Sequence, residues 1–279
     1  MNSSKYEKEI DQLKADLAAT QAELERREKR LRKEADEKLS LQAKLIEGLL
    51  QSRFALKLRS TYIVYDIVNL DGDFKVTRIY EGLQTGEGLQ LHFLKHKAVT
   101  STPNAKFGEA RLIPEKSSAN ISMDVWEEAE GVKFFKINFP GDLTSSEKGA
   151  DYAFEYTMKK GVLMTKEAAS EAYRNDPRPR EAFYQINEVS TGFLKLELRF
   201  PTGYVAKSNS LALINEVVHD DETKRLNVQT TDQRVLMEVK KPLPGFSYLI
   251  EWEGPPENEF QQLRETANKN RLRGLTNKN

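Results

Sequence analysis

The chain has 279 residues, 43 Lys and Arg against 43 Asp and Glu, three histidines and no cysteine. That composition excludes disulfides, thiolate nucleophiles, cysteine zinc sites and iron–sulfur clusters, and leaves little for a histidine metal site. A formal net charge of zero supplies no basic excess to neutralise phosphates, so nucleic acid is not an expected partner.

No apolar run approaches the roughly 18–20 residues of a membrane span. Met1 to Lys14 lacks the apolar core of a signal peptide. A soluble, cytoplasmic chain of one or two domains is the expectation.

Residues 1–59 read as one long helix. From Tyr6 to Leu58 there is no proline, a single glycine (Gly48), and a dense mix of Glu, Lys, Arg, Ala, Leu and Gln, all strong helix formers. Ser4 with Glu7 fits a capping box. Ile10, Leu13, Leu17, Leu24 and Leu31 recur at spacings of three and four, with Thr20 and Arg27 between them. That stripe predicts a coiled-coil seam and, through it, a homo-oligomer.

Past Leu58 the pattern becomes short β-branched and aromatic runs. Thr61–Leu70 and Asp73–Tyr80 flank an Asp71-Gly72 turn, which predicts a hairpin. Further strands are predicted at 89–95, 110–113, 120–126, 132–139 and 152–158. A helix opening at Thr165 and a proline-stiffened stretch, Asn175 to Arg180, fill 161–180. Strands resume at 182–188, 193–200, 211–219, 224–229, 234–240 and 246–252. A polar helical tail occupies 255–279. The spacing Tyr65-Ile67-Leu70-Phe74 returns as Tyr184-Ile186-Val189-Phe193, an offset of 119. Short strands at this spacing, repeated, predict two tandem antiparallel β-sandwiches of Ig-like type, 60–160 and 181–254. The fold class is thus mainly β behind a long N-terminal helix.

Candidate chemistry is sparse. Asn69-Leu70-Asp71-Gly72-Asp73 resembles a calcium loop, but Ile67 and Arg78 fall where the first and last carboxylates belong. A hairpin turn explains it. Gly82-x₃-Gly86-x-Gly88 lacks the helix and lysine of a phosphate cradle. His92 and His96 lie about 13 Å apart on a strand, too far to share a metal. His219-Asp220-Asp221-Glu222 reads as a turn. Trp126, Phe134, Phe135, Phe139, Tyr152, Phe154 and Tyr156 alternate and are mostly expected in cores.

No catalytic spacing, metal or cofactor motif emerges, so the expectation is a non-enzymatic adaptor. Its coiled coil sets the oligomer and its sandwiches face a protein partner. Arg174, Arg178 and Arg180, around two prolines at the domain junction, are the expected partner contacts. Two alternatives stand beside it: a ligand-sensing or carbohydrate-binding module, and a virion or other assembly component.

Overall fold

The computed structural model describes residues 56–86, 89–143, 149–174, 180–214 and 226–276, together with isolated positions 17, 20, 21, 24, 27 and 29. Leu50–Asn279 forms one compact unit.

β1 (Leu56–Ile67) and β2 (Phe74–Thr85) form the expected hairpin. At its tip the Asn69 side-chain oxygen accepts from the amides of Asp71 and Asp73, at 3.0 and 3.1 Å. Gly72 adopts φ of 80°, a left-handed conformation that glycine enters without a Cβ clash. The calcium-like loop is therefore an Asx turn.

β3 (Leu91–Val99), β4 (Lys106–Leu112), β5 (Ser122–Ala129), β6 (Val132–Leu143) and β7 (Ala150–Lys159) follow. Helix α1 (Lys166–Ala172) is capped by the Thr165 hydroxyl, which accepts from the Ala168 amide at 3.2 Å. Then come β8 (Glu181–Ile186), β9 (Ser190–Arg199), β10 (Lys207–Ile214), β11 (Leu226–Thr231), β12 (Arg234–Lys240), β13 (Ser247–Glu253) and helix α2 (Glu257–Thr276).

One mixed sheet of seven strands, in the order β11-β12-β9-β1-β2-β7-β4, runs through both halves of the chain. β9 lies parallel to β1, with Ile63 opposite Leu196 and Tyr65 opposite Leu198. Two three-stranded sheets, β3-β6-β5 and β10-β13-β8, pack side by side on one face of it. Phe135 of β6 packs on Phe154 and Tyr156 of β7, ring centres 5.0 and 4.9 Å apart. Phe183 of β8 stacks on Tyr65 of β1 at 4.2 Å, and Trp252 of β13 is fully buried beside it. Burying three fully enclosed leucines of β9 (Leu194, Leu196 and Leu198) contributes about 1.5–3 kcal/mol each.

The expected fold class is corrected on three points. Two tandem Ig-like sandwiches do not form, because β1 and β9, one from each half, are neighbours in a single sheet. Alternation marks which residues share a face but not which strand lies alongside. The internal repeat goes with the sandwiches. β1 and β2 are a hairpin, whereas their expected counterparts β8 and β9 lie in different sheets.

No long N-terminal helix or coiled coil stands among the described elements, whose helices are α1 and α2 and one 3₁₀ turn at Pro114–Lys116. β1 already begins at Leu56, inside the segment assigned to that helix, and Leu58 joins the core. Leu17 and Leu24 of the expected seam are 60% and 61% exposed. Ile10, Leu13 and Leu31 lie outside the described residues. Strong helix formers raise local propensity, but a leucine stripe interrupted by Thr20 and Arg27 does not itself supply a surface to bury against. The homo-oligomer expected through that seam has no described element to rest on. No helix among the described residues is long and apolar enough to cross a membrane.

Candidate functional site

Where the two small sheets meet above the large one, a cavity of about 410 Å³ remains. Its floor is the inward face of β1, β2 and β7, with Tyr65, Phe74, Arg78, Tyr156 and Met158. One wall is the end of β3 and the loop to Thr102; the other is β8 with Glu188 beyond it. A volume of this size is within the range of small-molecule sites, about 300–1,000 Å³.

Arg78 is the anomaly of that floor. Its row across the sheet reads Met237, Leu196, Ile63, Arg78, Phe154 and Leu112, so one cation stands in an otherwise apolar line. The residue is only 6% exposed. Its Nη2 donates to the Tyr156 hydroxyl at a long 3.5 Å, and its Nε is buried with no hydrogen-bond partner. No carboxylate forms an ion pair with it among the described residues, although Glu188, in the same lining, lies near enough to feel its charge. Guanidinium stays charged in a protein, and a buried unpaired charge is among the costliest groups to hold. Neighbouring phenols can solvate it but cannot neutralise it.

His96 sits beside it on β3, also buried. Its Nδ1 lies 3.4 Å from the Tyr80 hydroxyl and its Nε2 3.0 Å from the Tyr152 hydroxyl. The ring stacks on Tyr80 at 4.7 Å. Burial first, and then the Arg78 charge, hold the imidazole down to about 3, so it is neutral at physiological pH. Burial also pushes the Tyr65, Tyr80 and Tyr152 phenols up, keeping them protonated.

Glu181 opens β8 and is buried in the opposite wall. Tyr173, delivered by the end of α1, donates its hydroxyl to Glu181 at 3.2 Å and lies 3.4 Å from the Thr102 hydroxyl. Burial pushes the Glu181 carboxyl up to about 7, against the lowering effect of the Leu163 backbone and Tyr173 hydrogen bonds.

The arginines singled out at the junction separate. Arg180 is half-buried and lines the cavity. Arg174 is exposed, and Arg178 lies outside the described residues. His92 is exposed while His96 is buried. His219 to Glu222 and Gly88 lie outside the described residues. Of the aromatics, Phe135, Phe139, Tyr152, Phe154 and Tyr156 are core, whereas Trp126 is exposed. No cluster of three or more His, Asp or Glu among the described residues could hold a metal.

Sequence reading missed Arg78, although a signal was present. In Phe74-x-Val76-x-Arg78-x-Tyr80 the arginine falls in phase with the buried positions of an alternating strand. A cation on the apolar face of a strand is a question about what meets it.

The outward face of β3-β6-β5 carries a second feature. Phe93, Val99 and Trp126 are exposed there. Trp126 stacks on Phe134 at 5.5 Å, and Lys95, Lys97 and Lys136 lie 4.7–5.8 Å from the centres of neighbouring rings.

No family model matches the chain, and no curated protein matches it. Among solved structures, a putative protease from Parabacteroides distasonis aligns over 72% of this chain at 10% identity, with a TM-score of 0.35. The yeast LTA4 hydrolase in complex with bestatin aligns over 70% at 6% identity and 0.32. The native leukotriene A4 hydrolase from Saccharomyces cerevisiae aligns over 71% at 8% identity and 0.34. The chain spans only 41%, 28% and 29% of those three proteins. Likeness this distant carries no argument about function.

Proposed function

We propose that this protein is a ligand-binding module that holds one small molecule in the cavity between β3 and β8 and does not transform it. The observation that carries the reading is the cavity itself: an aromatic floor, with a few buried polar groups converging on it, is how small-molecule sites are built. Binding without turnover is supported by the state of its polar groups. Both nitrogens of His96 are engaged by tyrosines, and Glu181 is held by Tyr173. Neither is poised over an open nucleophile.

The test is a thermal-shift screen of small aromatic and anionic fragments, repeated on Ala182→Trp, which narrows the cavity from its exposed β8 wall. Fragments that raise the melting temperature of the parent are expected to lose that effect in the variant, since only native-state binding stabilises. Equal shifts in both proteins, or none in either, would overturn the reading.

A second reading, an adaptor that docks a protein partner, is favoured by the outward face of β3-β6-β5. Exposed Phe93, Val99 and Trp126 among Lys95, Lys97 and Lys136 complement a partner surface of apolar side chains ringed by carboxylates. A partner captured from host extract should be released by salt and lost with Phe93→Ser plus Trp126→Ser. Capture indifferent to both changes would remove this face from consideration.

A further inference from the structure

We infer that the cavity takes an aryl monocarboxylate, its carboxylate seated on the Arg78 guanidinium and its ring laid against the aromatic floor. The inference rests on the reading that the cavity binds a small molecule, and it names the class.

The anion follows from Arg78. Its Nε has no hydrogen-bond partner among the described residues, and its guanidinium meets the phenols of Tyr80 and Tyr156, the latter at a long 3.5 Å. A guanidinium edge of that kind offers two parallel N–H groups that a carboxylate meets in bidentate fashion. A neutral ligand would leave the charge as unpaired as it is without one. A carboxylate removes the buried imbalance, and the low dielectric that makes the free cation costly makes the pair strong.

The single charge follows from the count. Arg78 is the cation buried in the cavity lining, whereas Lys97 is exposed and Arg180 half-buried. His96 is neutral there. A monoanion matches that one buried cation, while a phosphate dianion would bring a second negative charge toward Glu188.

The flat body follows from the floor. Tyr65 and Phe183 stack with 4° between their planes, and Phe74 meets Phe183 edge-on at 5.0 Å. An aromatic ring adds to such a set with favourable offset or edge geometry. Acetate would reach Arg78 but leave the cavity's apolar part unfilled.

The experiment is calorimetric titration of the full chain with 3-phenylpropanoate, 3-phenylpropanamide, phenyl phosphate and acetate. 3-Phenylpropanoate is expected to bind at least about tenfold more tightly than its amide, the difference of one strong interaction. Arg78→Gln should bring the acid down to the level of the amide and leave the amide unchanged. Arg78→Lys, which keeps the charge and loses the fork, should fall between. The acid–amide comparison on the unaltered chain stands even if neither variant folds. Equal binding of acid and amide would overturn Arg78 as the anchor and leave the cavity reading intact. Phenyl phosphate binding more tightly than the acid would overturn the monocarboxylate class alone. Acetate matching the aryl acid would overturn the ring. No binding by any of the four would overturn the class, while fragments that depend on Ala182 in the thermal screen would still support the cavity, so the two failures are separable.

Discussion

Severing the chain between Arg180 and Glu181 is expected to leave neither half folded. β9 belongs to the second half, yet it is the neighbour of β1 in the middle of the seven-stranded sheet. Without it, β1 presents an unpaired edge and Thr61, Ile63 and Tyr65 lose the leucines opposite them. Phe183 and Trp252 leave at the same cut, so the Tyr65 ring is uncovered too. Each large side chain stripped of its packing costs about 2–5 kcal/mol. Several at once exceed the whole stability of an ordinary domain, about 5–15 kcal/mol. Residues 50–180 and 181–279, made separately, should show no cooperative thermal transition. Two independent cooperative transitions would restore the two-sandwich reading of the sequence.

Replacing Glu181 with Gln is expected to stabilise the protein by about 3 kcal/mol above pH 7, and by almost nothing at about pH 4.5. The folded carboxyl is raised from 4.5 to about 7, so between those values the native state holds a proton that the unfolded state has released. Stability from this group is complete below pH 4.5 and is lost as pH rises through 7. The magnitude is the shift converted at about 1.4 kcal/mol per unit. Gln cannot ionise, and its side-chain oxygen can still accept from Tyr173.

The parent alone does not display this slope cleanly. His96 is depressed from 6.5 to about 3, which makes the unfolded state the one that binds a proton below 6.5, so its contribution rises with pH. Between about pH 4.5 and 6.5 the two slopes oppose one another. The quantity to measure is the difference in unfolding free energy between Glu181→Gln and the parent, by urea titration at several pH values. A difference that stays constant from acid to neutral pH would show that Glu181 ionises normally in the fold.

Most strands were legible because alternation is a local property. Arg234–Lys240 is a strand with the boundaries expected of it, and 152–158 and 193–200 differ from β7 and β9 by one to three residues at their ends. Thr165 caps its helix as its position before Lys166-Glu167-Ala168 suggests. Pairing was not legible. A hairpin such as β1–β2 announces itself through Asp71-Gly72, but nothing between β8 and β9 says that β8 turns away to β13. The parallel register of β1 and β9 joins residues more than 130 positions apart, as Ile63 with Leu196, and no local signal spans that distance. The cavity is a product of that pairing. Arg180 was singled out as a junction residue for a protein partner, and the fold sets it among the residues that line the cavity. Arg78, the residue that gives the cavity its charge, stood in plain alternation and was passed over.

The most direct test follows the Arg78 Nε–H itself, by nitrogen-labelled magnetic resonance during titration with 3-phenylpropanoate. That proton has no acceptor among the described residues. On binding, its signal should move downfield as a carboxylate accepts it, and the backbone amides of Ala98, Gly161 and Ala182 around the cavity should shift with it. An Arg78 signal that stays still, with shifts confined to Phe93, Lys95 and Trp126 on the outward face, would contradict the assignment of this cavity as the binding site.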